Sequence, residues 1–422
     1  MQIMRHGASL HFLFPRIREQ PDLFEDSESA ATRDIGTDDD HNLFQGGPPI
    51  GLQTLLGLMR PDRPNVAFRA AIGVGIGWLP LAIMTAVQSL VLGDGSFGSF
   101  LSDYGVHARS LIAVPLLIGA EAVCLPRLSA IARQFRDAEL VDSRDIPAFR
   151  HAVATTRDLR DSTRLELALL ALAVTIIFAA FFTVPQRIFP PWHGVHIDGR
   201  EVFSPAGWWH GYVSVWILLV LVLGWLWRLA LWARFLFLVS RLKLRLVASH
   251  PDRSGGLKFV GISAQAFSVL AFSLSVIMAG TIANRVMHDG VNILSFKYIV
   301  LGYTAFILAL LAGPLVVFAG QLLETWRRGI FEYGALARGV GLAMERKWLN
   351  RAADDTALDA NDFSATTDLY SIVSNVYGMT VVPLSLTNVV VLVVATLLPF
   401  APIVAMSVSP EVILQKLMGM LP

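Results

Sequence analysis

The chain reads as all-α, a polytopic transmembrane helical bundle of about seven spans with helices projecting into the cytoplasm. Two observations predict that class. Of 422 residues, 54% are hydrophobic and only 16% charged, against roughly 25% charged in soluble domains. Several uncharged runs also exceed the roughly 18 residues that mark a membrane span. A third observation, the one-sided placement of lysine and arginine, sets the orientation.

Residues 1–63 form the first segment, read as a disordered acidic cytoplasmic tail ending in a short amphipathic helix. Between Asp22 and Asp40 eight carboxylates face a single Arg33, a composition too polar to bury a core. The apolar cluster His11 to Phe14 falls short of the roughly 7 to 15 apolar residues of a secretory signal. Gly51 to Arg60 has the pattern of a helix lying on the membrane surface.

Residues 64–410 form the bundle, and 411–422 a short C-terminal tail. Spans are expected at about Ala70 to Leu92, Ser110 to Leu125, Leu167 to Val184, Gly211 to Trp232, Val260 to Ile282, Tyr298 to Leu322 and Val381 to Met406. The second is short and contains Glu121, so its case rests on the flanking charges. The tail and the loops after spans two, four and six hold 27 lysines and arginines, and the alternate loops hold 5. That bias predicts a cytoplasmic N-terminus and, with seven spans, a C-terminus outside. Without span two, basic loops would fall on both sides.

Helices are expected beyond the membrane in cytoplasmic loops 126–163, 233–258 and 324–378. Asp145 and Pro147 read as a cap and first-turn proline for a helix leading into span three. Span four runs on through Arg234 to Arg245 without a breaker before Pro251, which predicts a projecting helix. Trp326 to Leu349 extends span six with an apolar stripe including Phe331, Leu336 and Trp348. Between Asp368 and Glu411 lie 42 uncharged residues, too many for one upright span. The preferred reading is a polar-faced helix that enters span seven near Pro383, and the other reading is two spans.

Three groups of residues carry the chemical suggestions. Within the membrane, Glu121 is costly unless it meets a cation or lines a path, and Arg69 and Arg228 lie at matching depth. Arg228, among Trp225, Trp227 and Trp232, also fits a snorkelling interface residue. Gln265 shares a helical face with Gly261, Ser268, Ser275 and Ala279, as either a close-packing stripe or a hydrated lining. At the junction between spans four and five, His250, Asp252, Arg253, Gly255 and Gly256 combine proton-transfer groups with two residues free to take positive φ. An aspartate-stabilised turn explains the same residues. In the outer loop, His193, His196 and Asp198 could converge on zinc or copper, although a proline- and tryptophan-rich interfacial loop accounts for them without an ion. No metal or other cofactor is assigned, and no catalytic residue.

The HPDRSGGL junction and span layout resemble uncharacterised bacterial multi-span inner-membrane proteins that carry an H-P-D-x-x-G-G-L junction, a family that brings no activity or ligand with it. The HPD triad is also found in J-domains, but here a span replaces their soluble third helix. Among 34 basic residues only five are lysine, a bias read as bacterial. The single Cys124 excludes an intrachain disulfide.

The functional expectation is an inner-membrane transporter or channel-like protein for an ion or small solute, more a non-enzyme than an enzyme. The alternatives are a sensor or scaffold recruiting a cytoplasmic partner, and an enzyme acting on lipid headgroups. Partners expected are the lipid bilayer, an ion or solute, a cytoplasmic protein or a second copy in a homo-oligomer, and no nucleic acid.

Overall fold

The computed structural model describes residues 43–44, 46–48, 50–55, 57, 65–183, 190–197, 200–349 and 362–407. Seven helices are long and apolar enough to cross a membrane. They are α1 (Val66–Leu92), α2 (Tyr104–Asp137), α4 (Thr163–Thr183), α5 (Pro205–Val239), α6 (Lys258–Met287), α7 (Ile293–Trp348) and α9 (Leu386–Ser407). Between them stand α3 (Ile146–Arg160) and α8 (Asp362–Tyr377), and a hairpin pairs β1 (Gly194–Ile197) antiparallel with β2 (Arg200–Phe203). The protein is an all-α membrane bundle. The second span is longer than its hydropathy suggests, because α2 carries its apolar face through Phe135 into the basic end.

Helices α2, α5 and α6 form the centre, with 50, 44 and 56% of their apolar windows buried, against 17% for α1 and 11% for α4. The peripheral helices therefore turn most of their leucines, valines and isoleucines outward, where lipid replaces water as solvent. Close helix approach relies on small residues. A Cβ at Gly280 of α6 would collide with Ala108 of α2, so glycine sets that spacing.

Two apolar clusters stand at opposite ends of the bundle. Phe135, Phe235, Phe259 and Phe318 meet at the end that carries the links α2–α3, α5–α6 and α7–α8, called here the basic end. Leu81, Phe100, Trp192 and Ala206 pack together at the other.

Three expectations change at the basic end. The helix read as running to Arg245 stops at Val239, because Gln321 of α7 donates its amide to the carbonyls of Ser240 and Leu242 at 2.8 and 2.7 Å. A side chain thus satisfies carbonyls that another helical turn would have used. The following segment is extended, with a bridge between Val141 and Leu244.

The uncharged run after Asp368 does contain a break. Helix α8 packs along the extension of α7, residues Gly378 to Ser385 are non-helical, and α9 then crosses once. Pro383 lies in the break, where its missing N–H costs no helical hydrogen bond.

Part of the tail assigned to disorder is core. Leu43 and Phe44 are 1% and 2% exposed, and Phe44 packs edge-on against Trp232 and Phe235 at 5.3 and 5.9 Å. Arg160 donates to the Leu43 carbonyl at 2.8 Å, and Ser129 accepts from the Phe44 amide at 3.3 Å. An apolar dipeptide in a polar tail is short to the eye, but one buried phenylalanine contributes roughly 1.5–3 kcal/mol. A short helix follows at Ile50–Leu55; Leu56 and Leu58 to Arg60 of the expected surface helix lie outside the described residues, as does the acidic stretch Asp22 to Asp40.

Candidate functional site

Glu121 lies four turns into α2, facing α1 and α5. Its Oε2 accepts from Arg69 Nη2 at 2.6 Å and its Oε1 from Arg228 Nη2 at 2.9 Å. The three side chains are 6, 3 and 2% exposed. Arg228 is therefore not a snorkelling residue; its guanidinium stacks over Trp225 at 5.2 Å and turns inward to the carboxylate. Trp225 is itself anchored, donating from Nε1 to the Leu117 carbonyl at 2.9 Å. One helix supplies the anion and two others the cations, so the triad ties α1, α2 and α5 together.

The strap Leu43–Phe44 and Gly46–Pro48 passes over this triad. Arg228 Nη2 is 3.5 Å from the Gly46 carbonyl, and both Gly46 and Gly47 lie against the Arg160 side chain.

Gln265 is half buried in α6, and no hydrogen bond among the described residues joins its side chain to the triad. The neighbouring hydroxyls are spent locally: Ser263 donates to Val260, Ser268 to Gln265 and Ser273 to Val269 carbonyls. Ser275 of the same face reaches further, donating to the Tyr303 hydroxyl of α7 at 3.4 Å. Cys124 Sγ, one turn from Glu121, reaches the Ala266 carbonyl at 2.8 Å, which seats α6 on α2.

A second buried polar cluster stands at the opposite end. Asp103 caps α2, accepting from the Val106 amide at 3.0 Å, the Asn284 amide at 2.7 Å and the Trp192 indole at 3.0 Å. Burial alone would raise its pKa, but these three donors and the Arg109 charge hold it below the ordinary value. Beside it His193 Nε2 meets His210 Nδ1 at 3.0 Å. Burial pushes His193 down to about 3, so it is neutral at physiological pH. Both helices take a π-turn here, at Ala108–Ala113 and His210–Ser214, around Arg109 and His210. Such turns occur often at functional sites. Arg109 and Glu121 are twelve residues apart on α2, roughly 18 Å along the helix.

This arrangement differs from the zinc or copper set read from the loop. His193 is engaged with His210, His196 lies opposite Glu201 in the hairpin, and Asp198 lies outside the described residues. Among the described residues no group of three or more histidine, cysteine, aspartate or glutamate side chains converges to hold a metal. Nothing in the sequence joins His210 to Asp103, Arg109 or Asn284. The available signal was Asp103, a polar residue one position before a long apolar helix.

At the junction, Asp252 Oδ1 accepts from the amides of Ser254 and Gly256 at 2.8 and 3.1 Å, and Oδ2 from Lys258 at 3.1 Å. Burial raises the Asp252 pKa, and these amide donors together with the His250 side chain outweigh it and lower it. His250 Nδ1 is 2.8 Å from Oδ1. Gly255 and Gly256 take φ of +64° and +95°, and Arg253, unusually for a side-chain-bearing residue, +55°. The Arg253 carbonyl accepts from the Thr380 amide at 2.7 Å, and Ser254 and Thr380 hydroxyls meet at 2.9 Å. The turn is thus a joint that fastens the α5–α6 link to the break before α9. Beside it an open groove of about 730 Å³ is lined by Ala309, Val316, Trp326, Met379 and Val382, among others. Among the described residues no ionisable side chain lines it.

No family model, curated protein or solved structure matches the chain.

Proposed function

We propose that this integral membrane protein is a transporter or channel-like protein for an ion or small solute in a bacterial inner membrane, with a cytoplasmic N-terminus. The observation that carries the reading is the Arg69–Glu121–Arg228 triad, buried where three spanning helices meet. Ionisable groups inside a membrane are costly and concentrate on substrate and ion pathways. A second buried set, Asp103 with Arg109 and His193 with His210, shares α2 and α5 with the first, so polar groups stand at both ends of one helix pair. The excess of lysine and arginine on one set of loops supports the orientation.

The lipid-enzyme reading gains an open groove that reaches the junction at Thr380 but, among the described residues, no acid or base in its lining, and Asp252 is committed to backbone amides. The scaffold reading has firmer support. The α7 helix runs 56 residues, roughly 84 Å, far beyond a hydrocarbon layer of roughly 30 Å. Phe331 on its projecting part, Leu349 just past its end and Tyr377 on α8 are 78, 78 and 57% exposed. Apolar side chains outside the membrane suit a protein partner.

Ion and proton flux through purified protein in sealed liposomes under an imposed potential separates the readings. Transport predicts flux that falls at least tenfold in Glu121→Gln and persists in a His250→Ala, Asp252→Asn double variant. Well-folded protein without flux removes the ion-transport reading and leaves the scaffold.

A further inference from the structure

The triad holds two guanidiniums and one carboxylate. Glu121 gives one oxygen to each arginine, and both of those bonds use Nη2 atoms. Arg69 Nε, Arg228 Nε and Arg228 Nη1 are then buried without an acceptor among the described residues. The remaining contact of Arg228, 3.5 Å to the Gly46 carbonyl, is at the outer limit of a hydrogen bond. Among the described residues no second carboxylate pairs with either guanidinium. The stack on Trp225 gives Arg228 a π-face but no countercharge.

A net positive charge enclosed by helices is expensive unless an anion neutralises it. The planar guanidinium fork matches phosphate and carboxylate in geometry as well as charge. Depth suits such a ligand as well. Arg69 stands in the first turn of α1, close to the basic end, where the surrounding loops concentrate positive potential. We infer that Arg69 and Arg228 form a binding site for a small oxyanion, a phosphate or carboxylate either free in solution or carried on a lipid headgroup, beneath the strap at Leu43–Phe44 and Gly46–Pro48. The inference deepens the transport reading by giving the sign of its ion, and it is tested by equilibrium binding rather than by flux.

Full-length protein, purified in neutral detergent and stripped of lipid, is melted in rising sodium phosphate or sodium acetate, with sodium chloride at equal ionic strength as reference. A parallel series adds phosphatidylglycerol or phosphatidylcholine to the micelles. Wild type is expected to show a saturable rise in melting temperature with phosphate, acetate or phosphatidylglycerol that chloride and phosphatidylcholine do not reproduce. Stabilisation by the soluble salts identifies a free anion, and stabilisation by phosphatidylglycerol alone identifies a headgroup.

Glu121→Gln removes the competing negative charge, so the same ligand should bind roughly tenfold more tightly, a change of about one decade in apparent Kd. Arg228→Gln leaves one cation facing one anion, and the saturable rise should vanish. Stabilisation that follows ionic strength alone, or that survives unchanged in Arg228→Gln, overturns the site. Should Arg228→Gln not fold, a Glu121→Gln protein that responds no more tightly than wild type overturns it equally. Binding without flux leaves this site standing and removes transport, whereas flux without saturable binding does the reverse.

Discussion

Glu121 shows how far a residue type constrains its surroundings. A carboxylate in an apolar run needs a cation or a wet path, and both arginines at matching depth, Arg69 and Arg228, turn out to be engaged. Residue type alone does not reveal that two cations share one anion, because each lies on a different helix. His193 makes the complementary point. Its neutrality follows from burial, which brings its pKa from 6.5 to about 3. An unfolded chain would protonate it near 6.5, so the unfolded state binds the extra proton first and stability falls as pH drops from about 6.5 toward 3. The melting temperature of wild type should therefore decline between pH 6.5 and 4.5, and His193→Gln should show a shallower decline over the same interval. An equal slope in both proteins would mean that the imidazole is not held neutral by the fold.

At the level of elements, the apolar runs locate every spanning helix, whereas their ends depend on partners. Helix α5 stops at Val239 because Gln321, eighty residues away along the chain, takes up the carbonyls of Ser240 and Leu242. The break at Gly378 to Ser385 is likewise held by the Arg253 carbonyl on Thr380. The strap is the clearest case of an element invisible to composition, since Leu43 and Phe44 are surrounded in sequence by polar residues. Removing the Phe44 ring should leave a cavity between Trp232 and Phe235. Phe44→Ala is expected to cost about 3–5 kcal/mol, read as a lowered melting temperature in detergent. A change near zero would show that the strap is not docked in solution.

For the whole molecule, the balance of basic residues predicts which end faces the cytoplasm. Ser143, in the α2–α3 link, and Ser295, at the start of α7, are both exposed and lie at opposite ends. With the N-terminus inside, Ser295→Cys should react with a membrane-impermeant maleimide in cells whose outer barrier has been opened but whose inner membrane is intact. Ser143→Cys should react only after that membrane is permeabilised. Cys124 is buried and supplies little background. The opposite labelling pattern would reverse the orientation.

The sequence by itself determined the class, the number of spans and the sidedness of the basic residues. Bilayer thickness sets the length of an apolar run, and charges that must stay out of lipid mark its ends. Only the tertiary structure decided which ionisable groups meet. Glu121 is 52 residues from Arg69 and 107 from Arg228, and the Asp103–Asn284 contact spans 181. Contacts at such separations leave no periodic trace in a single chain, since they arise from the way packed helices bring their buried faces together. The same holds for the Leu43–Phe44 strap, whose two apolar side chains become core only when Trp232, Phe235 and Arg160 surround them.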